Sequence, residues 1–385
     1  MKKQILTLTL FVLAIFAGSY SVFGQATVLN QAITASQPIP ALSCVAGSEP
    51  LHPYPGQSYT YTMDGSSGAE TADEWTWFVT KDPEFINATG LNTANMLTTA
   101  SGDLLNVGTN YGTATAGANS IDITWSPEVL ANTLYQGTPG TDPSPTFVVG
   151  YATGTNCADN IQVYEINPKF NFTIDIANVD TVNSTLGWDA AFSQCVDIVR
   201  SATYNSTTKE IDVNYGKDIL YFEVAAANFV TDFTPTFHLI SGLVGTQTAV
   251  VTLHPSLADA KAGTNVAATA NWDATSVGTD WATGVQFTSS DPALVVSGVS
   301  LFVKVVISNN TEESLTDNIF ALAVDAQDNN QTGIWDMEDD DCTTATDAAD
   351  QADFAEHTVT PRPQIDHATP DAGAPDPTTV ITKTP

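Results

Sequence analysis

The stretch Glu74-Trp75-Thr76-Trp77-Phe78-Val79 repeats bulky apolar side chains with a period of two. Because successive side chains of a strand point to opposite faces, this period places Trp75, Trp77 and Val79 on one face of a strand. Similar patterns occur at residues 59–63, 121–125 and 170–176, and longer apolar runs at 301–307 and 319–324. Gly, Pro, Asn and Asp separate these runs. Many short strands divided by turn signals predict an all-β protein of immunoglobulin-like β-sandwiches.

The N-terminus has the features of an export signal. Lys2 and Lys3 precede an apolar run from Ile5 to Ala17, and Val22-Phe23-Gly24 offers a cleavage site. The run is shorter than the roughly 20 residues that a membrane-spanning helix needs. We therefore predict a signal peptide over residues 1–24 and a secreted, extracellular or cell-surface protein with no membrane span after cleavage. An uncleaved anchor is the alternative.

The composition is strongly acidic, with 43 Asp and Glu against 11 Lys and Arg and a formal net charge of −32. This charge argues against nucleic acid and anionic membrane as partners, because both bind cationic surfaces. It suits solubility at high salt, calcium binding or a basic partner. Apolar residues make up 43% of the 385 residues, so the chain can bury a substantial core. This length exceeds one ordinary core and predicts two domains.

Two halves of the chain share short features. Residues 121–125 (Ile-Asp-Ile-Thr-Trp) resemble residues 211–215 (Ile-Asp-Val-Asn-Tyr), and each half has one early and one late cysteine. We predict tandem domains over residues 25–168 and 169–361, and a disordered tail over the apolar-poor residues 362–385. Four cysteines allow three pairings. Pairing within each half gives the disulfides Cys44–Cys157 and Cys195–Cys342, and free buried thiols are the alternative.

The clearest chemical feature is an acid-rich segment that follows the run at 319–324. Its carboxylate and amide oxygens are of the kind that calcium prefers. The candidate ligands are Asp325, Asp328, Asn329, Asp336, Glu338 and Asp339. A solvated acidic loop is the alternative, and calcium is the only cofactor that the sequence suggests. The common catalytic motifs are missing from the sequence, so we expect the protein not to be an enzyme.

The tryptophans fall into two groups. Trp75 and Trp77 are predicted to fill a sandwich core, as a strand tryptophan does in immunoglobulin-like domains. The others of interest occur in Gly-, Asp- and Thr-rich contexts, where an exposed indole could stack on a sugar or contact a protein. These candidate ligand-binding residues are Trp188, Trp272, Trp281 and Trp335. Tryptophans in such contexts can instead cover the edge of a core.

The signal peptide together with four short motifs resembles the PKD-like and Ig-like modules of exported Bacteroidota surface proteins. The motifs are Cys44-Val45-Ala46-Gly47, residues 55–61 (Pro-Gly-Gln-Ser-Tyr-Thr-Tyr), Trp75-Thr76-Trp77 and residues 121–125. The resemblance covers mainly residues 40–168 and, more faintly, residues 190–361. It implies a sandwich fold and an extracellular location.

Two functions fit these features. The first is a structural or assembly subunit, such as a filament, surface-layer or secretion-associated component, whose partners are itself or other surface proteins. Edge strands and the N-terminal segment from Thr27 to Pro40 could add to a neighbour's sheet. The second is a monomeric, adhesin-like module that binds a glycan or a protein through the loop tryptophans.

Overall fold

The computed structural model describes the greater part of the chain. The described residues are 26–33, 50–63, 74–127, 129, 145–154, 159–168, 172–180, 185–188, 190–230, 232–289, 291–309, 316–328, 336 and 353–363. The predicted signal peptide therefore lies outside them, as do Cys44, Cys157, Cys342 and Trp335. Within these ranges, no helix is both long enough and apolar enough to cross a membrane.

Strands form most of the described structure, which confirms the predicted all-β class. In chain order they are β1 (Thr27–Val28), β2 (Ser58–Thr62), β3 (Glu74–Thr80), β4 (Ile86–Asn87), β5 (Gly90–Leu91), β6 (Leu104–Val107), β7 (Thr115–Ala116), β8 (Ser120–Trp125), β9 (Thr146–Thr153), β10 (Asn160–Ile166), β11 (Thr173–Val179), β12 (Phe192–Cys195), β13 (Ser201–Asn205), β14 (Glu210–Asn214), β15 (Lys217–Ala227), β16 (Asp232–Ser241), β17 (Thr248–His254), β18 (Ala268–Asp273), β19 (Asp280–Ala282), β20 (Phe287–Thr288), β21 (Val299–Ser308), β22 (Asn318–Asp328) and β23 (Phe354–Thr360). Two short helices, α1 (Leu257–Ala262) and α2 (Pro292–Ser297), lie between strands.

The first sandwich packs a three-stranded sheet, β2-β8-β6, against a four-stranded sheet, β10-β9-β3-β7. Both sheets contribute to one buried cluster that contains Trp77 from β3 and Trp125 from β8. The indole N–H of Trp77 donates to the Ala118 carbonyl at 2.9 Å, and that of Trp125 donates to the Tyr61 hydroxyl at 3.1 Å. These bonds satisfy polar groups that burial would otherwise penalise. The predicted core role of Trp75 and Trp77 is confirmed.

The second sandwich is larger. A seven-stranded sheet runs in the order β1-β20-β16-β22-β23-β12, with β19 also paired to β16, and it faces a five-stranded sheet, β11-β15-β21-β17-β18. Phe237 and Leu322 of the seven-stranded sheet share a buried cluster with Leu220 and Val303 of the five-stranded sheet. The long apolar runs predicted as buried strands are the centres of β21 and β22.

The N-terminal segment, residues 26–33, belongs to the second sandwich by its contacts. Strand β1 pairs in parallel with β20, with Thr27 opposite Phe287 and Val28 opposite Thr288. Leu29 is fully buried in the second core. This placement differs from the expected domain of residues 25–168, because an apolar strand is stabilised where a sheet edge and an open core can receive it, whatever its position in the sequence. The division of the chain into two domains stays a prediction.

The similarity between residues 121–125 and 211–215 does not correspond to equivalent positions. The first stretch forms β8, whose Ile121, Ile123 and Trp125 are buried. The second forms β14, which pairs only with β13 among the described residues and has no buried side chain. The alternation is the same, but in β14 none of the side chains is fully covered by the described part of the chain.

Arg362, the first residue of the predicted tail, contacts the second sandwich. The Arg362 guanidinium donates to the Tyr215 carbonyl at 2.6 Å and to the Asp197 carbonyl, and it lies 5.4 Å from the centre of the Tyr215 ring. These contacts fix the end of the described chain to the second sandwich. The remainder of the predicted tail, residues 364–385, lies outside the described residues.

Candidate functional site

The exposure predicted for the loop tryptophans is wrong at two positions. Trp188 is 1% exposed and packs with Ala177 and Ala225, and Trp272 is 7% exposed in the second core. Trp272 is part of strand β18, where the period of two turns it inward, so its Asn- and Asp-rich surroundings were misleading. For these two residues the alternative interpretation, that a tryptophan covers the edge of a core, is the correct one.

Trp281 is half-buried and lies on the short edge strand β19. Its ring centre is 5.7 Å from that of Phe237 and 5.9 Å from that of Trp272. The indole therefore covers the end of the second core and exposes only part of its surface.

A cavity of about 120 Å³ lies beside Trp188 and is lined also by Ala190, Phe354 and Glu356. Because Trp188 is almost completely buried, it offers no open ring face for a sugar.

The acid-rich segment is more buried than a surface loop. Strand β22 extends through Asp325 to Asp328, because Phe233 of β16 pairs with Asp328 and Thr236 pairs with Asp325. Asp325, Asp328 and Asp336 are all buried. The acid-rich segment therefore begins inside strand β22 and not after it, because the ladder to β16 continues through Asp328. The other three candidate ligands, Asn329, Glu338 and Asp339, lie outside the described residues.

The buried acids accept hydrogen bonds from the backbone. Asp328 accepts from the Val230 N–H at 3.0 Å, and Asp336 accepts from the Ile174 N–H at 3.1 Å. The Asp336 N–H in turn donates to the Ala326 carbonyl at 3.1 Å. Among the described residues, no three Asp, Glu, His or Cys side chains are placed to hold a metal ion. Calcium binding by this segment stays a prediction.

The one described cysteine, Cys195, ends strand β12 and is exposed, with no disulfide partner among the described residues. Its predicted partner, Cys342, lies outside the described residues, as does the pair Cys44–Cys157. The two disulfides therefore stay predictions.

Burial shifts the pKa values of several ionisable groups of the second sandwich, among them His357 and Asp218. His357 lies between the rings of Phe192 and Phe222, at centre distances of 4.9 and 6.2 Å, and burial lowers its pKa to about 4. Burial also raises the pKa of Asp218, which accepts from the Asn309 amide at 2.8 Å. Both groups lie among packed strands, so we interpret them as structural.

Strand β18 is a regular sheet edge. It pairs with β17 from Ala268 to Asp273 without a register shift, and no other neighbour occurs among the described residues. Thr269 and Asn271 are exposed. The strand contains no proline and no lysine, two features that commonly prevent a sheet edge from pairing with another chain. No clear sequence signal marks β18, because its alternating Ala, Asn and Thr residues resemble a loop.

The segment 26–33 is the second notable element. The Leu29 N–H donates to the Thr288 carbonyl at 2.7 Å, and the Ser300 N–H donates to the Gln31 carbonyl at 2.9 Å. Its apolar anchors are Leu29 and Ile33, four residues apart and therefore on one side of an extended chain. The segment therefore adds to a sheet of its own chain, and addition of the stretch from Thr27 to Pro40 to a neighbour's sheet stays a prediction.

No protein-family model matches this chain, and no curated protein is similar to it in sequence. Among solved structures, the CooA pilin subunit from enterotoxigenic Escherichia coli is 9% identical over 50% of this chain and 99% of its own, with a TM-score of 0.19. The major pilin SpaD from Corynebacterium diphtheriae is 10% identical over 70% of this chain and 58% of its own, with a TM-score of 0.19. The collagen adhesin CNA from S. aureus is 10% identical over 81% of this chain and 90% of its own, with a TM-score of 0.17. Likeness at these TM-scores says nothing about what this chain binds or builds.

Proposed function

We propose that this chain is an exported structural subunit that assembles with copies of itself or with other surface proteins, within a filament, a surface layer or a secretion-associated structure. Its role is structural and not catalytic. The N-terminal sequence supports export, and the sandwich fold supplies the rigid, strand-rich body that such a subunit needs.

The observation that carries this proposal is the edge at β18, which has no second neighbour among the described residues. Its outward backbone groups can pair with a strand of another chain, which is a route by which sheets associate. Two of the tryptophans expected to bind ligands are instead part of the packed structure. The described structure therefore favours association through backbone edges over recognition through an aromatic surface.

The net charge of −32 opposes self-association at low ionic strength. Salt screens this repulsion, since the Debye length falls from about 10 Å at 0.1 M to about 3 Å at 1 M. We therefore expect the mature chain to form species larger than a monomer, and to form more of them as salt increases. Sedimentation velocity over a range of protein and salt concentrations measures this directly.

A matched pair of lysine substitutions tests the role of the edge. Thr269→Lys places a charge on β18, whereas Thr248→Lys makes the same change at an exposed position of β17, which lies inside the sheet. We expect Thr269→Lys to abolish the large species and Thr248→Lys to retain them. A wild-type chain that stays monomeric at every salt and protein concentration would overturn the proposed function.

Binding of a glycan remains a second candidate, because Trp281 keeps part of its ring exposed beside Phe237. Tryptophan fluorescence during titration with polysaccharides tests it. A shift that disappears in Trp281→Ala would favour this function, and a shift that persists would place the site elsewhere.

A further inference from the structure

We propose that residues 26–33 exchange between copies, so that in the assembly this segment of one copy fills the groove between β20 and β21 of the next copy. This inference rests on the proposed function, because it adds a second contact that the assembly requires beside the edge at β18.

The groove lies between the two sheets of the second sandwich. At its first end the segment bonds to the seven-stranded sheet, where the Thr27 N–H donates to the Gln286 carbonyl at 2.8 Å. At its other end it bonds to the five-stranded sheet, where the Ile33 N–H donates to the Gly298 carbonyl at 3.3 Å and Ala32 bridges Val299. The segment therefore bridges the two sheets, from β20 in the seven-stranded sheet to the start of β21 in the five-stranded sheet.

Two side chains anchor the segment in this groove. Leu29 is 0% exposed and is part of the second core, and Ile33 packs against the cluster of Ala177, Trp188 and Ala225. Val28, which lies between the hydrogen-bonded Thr27 and Leu29, is 51% exposed. Without the segment the groove would expose apolar core surface, so a strand must occupy it, whether from the same chain or from another copy.

The segment has properties that permit exchange. Its sequence, Ala-Thr-Val-Leu-Asn-Gln-Ala-Ile, carries no charge, so its transfer adds no repulsion between two acidic copies. Sixteen residues, 34–49, join it to Pro50, and a chain of this length reaches about 50 Å when extended. The predicted cleavage after Gly24 would also leave it at a free N-terminus, which can enter a groove without threading a loop.

Exchange of this kind uses the same contacts within a chain and between chains, which makes it a low-cost route to association. The donated strand and the receiving groove are different surfaces of the molecule. Reciprocal exchange between two copies closes a dimer, whereas donation from each copy to the next is a heterologous contact that gives rings or open filaments. High local concentration at a surface favours the form in which copies are joined.

A disulfide across the paired positions of β1 and β20 tests the proposal without removing either anchor. The test variant is Val28→Cys with Thr288→Cys, since these residues are register partners, in a background of Cys195→Ser with Cys342→Ser that removes the exposed thiol and its predicted partner. The control variant is Thr60→Cys with Asp122→Cys, because these are exposed register partners of β2 and β8. Each variant is prepared with natural and with ¹⁵N-enriched nitrogen, mixed, assembled under the conditions used for the wild type, and then oxidised.

We expect the cross-linked peptides of the test variant to include hybrids of ¹⁴N and ¹⁵N, together with a ladder of covalent multimers on a non-reducing gel. The control variant should give cross-linked peptides of one isotope only. If the test variant is oxidised in dilute solution and then concentrated, it should remain a monomer, because the disulfide locks its segment in its own groove. Reduction of the disulfide should restore assembly.

The outcomes separate this inference from the proposed function. If the wild type assembles but the 28–288 cross-link contains no isotopic hybrids, strand exchange is overturned and the structural function stands. If the wild type does not assemble under any condition, the proposed function itself fails. A locked monomer that assembles as well as the wild type also overturns strand exchange.

Discussion

The two sandwiches of this chain differ in how their cores are completed. The first is built around Trp77 and Trp125 from strands that lie close together in the sequence, with Val230 as a contribution from beyond them. The second requires Leu29, from a segment that precedes the first sandwich and pairs with residues 260 positions away, as Thr27 does with Phe287. One core is therefore largely local in sequence, while the other depends on a strand that is distant in sequence.

The largest effect expected is on the first core. Trp77→Ala removes a fully buried indole and its hydrogen bond to Ala118, so we expect the free energy of unfolding to fall by about 3–5 kcal/mol. Thr62→Ala, at an exposed position of β2, should change it by no more than about 0.5 kcal/mol. Chemical denaturation measures both. If the sandwiches unfold in separate transitions, only one transition should shift, and a shift of both would show that the cores are coupled.

The dependence of the second core on its N-terminal strand predicts the next effect. Leu29→Ala leaves a cavity beside a fully buried position and should cost about 2–5 kcal/mol. Val28→Ala, one residue earlier and half exposed, is the control and should cost about 0.5 kcal/mol or less. Urea denaturation at low protein concentration compares them. Equal effects of the two substitutions would mean that the segment is not an integral part of the second core.

Acid should weaken the second sandwich through His357. Burial lowers the pKa of this side chain to about 4, whereas an unfolded histidine has a pKa of about 6.5. The unfolded state therefore binds the proton first as the pH falls, and stability present above pH 6.5 is lost on the way down to pH 4. Between pH 6.5 and pH 5 the loss is roughly 2 kcal/mol. Denaturation curves at these two pH values should show it in the wild type, and His357→Leu should remove it. An unchanged pH dependence in that variant would assign the acid sensitivity to other groups.

The smallest effect concerns the contact between the two regions. Gly56 has a φ of +84°, and a Cβ there would lie 2.5 Å from Cγ1 of Val296. Gly278 has a similar φ of +76° but no atom within 4 Å of the same position. Gly278→Ala should therefore cost about 1 kcal/mol from backbone strain alone. Gly56→Ala should lower the free energy of unfolding by about 1 kcal/mol more than Gly278→Ala, because the added Cβ overpacks against Val296. Adding Val296→Ala should restore that difference. If the two glycine substitutions lower the free energy of unfolding equally, the Val296 side chain moves aside without a measurable loss of stability.

The local sequence pattern predicted where the strands lie better than it predicted which of their side chains are buried. The alternation at residues 74–79 correctly placed Trp75 and Trp77 in a core, because a strand with one strongly apolar face is stable only when that face is covered. The same reasoning did not distinguish β8 from β14, since whether another layer covers a face depends on residues far away in the sequence. Asp325 was expected in an exposed loop for a similar reason, because pairing with Thr236 decides that it lies in a buried strand.

The sequence by itself determined the all-β class, the positions of the main strands and the apolar faces that need burial, because these follow from side-chain alternation and turn residues along the chain. Only the tertiary structure decided that Leu29 completes the second core, that Trp188 and Trp272 are buried, and that β18 is left as a sheet edge. These outcomes depend on which strands become neighbours. That choice is set by the burial of apolar surface and the pairing of backbone groups across the whole fold, and no local pattern records it.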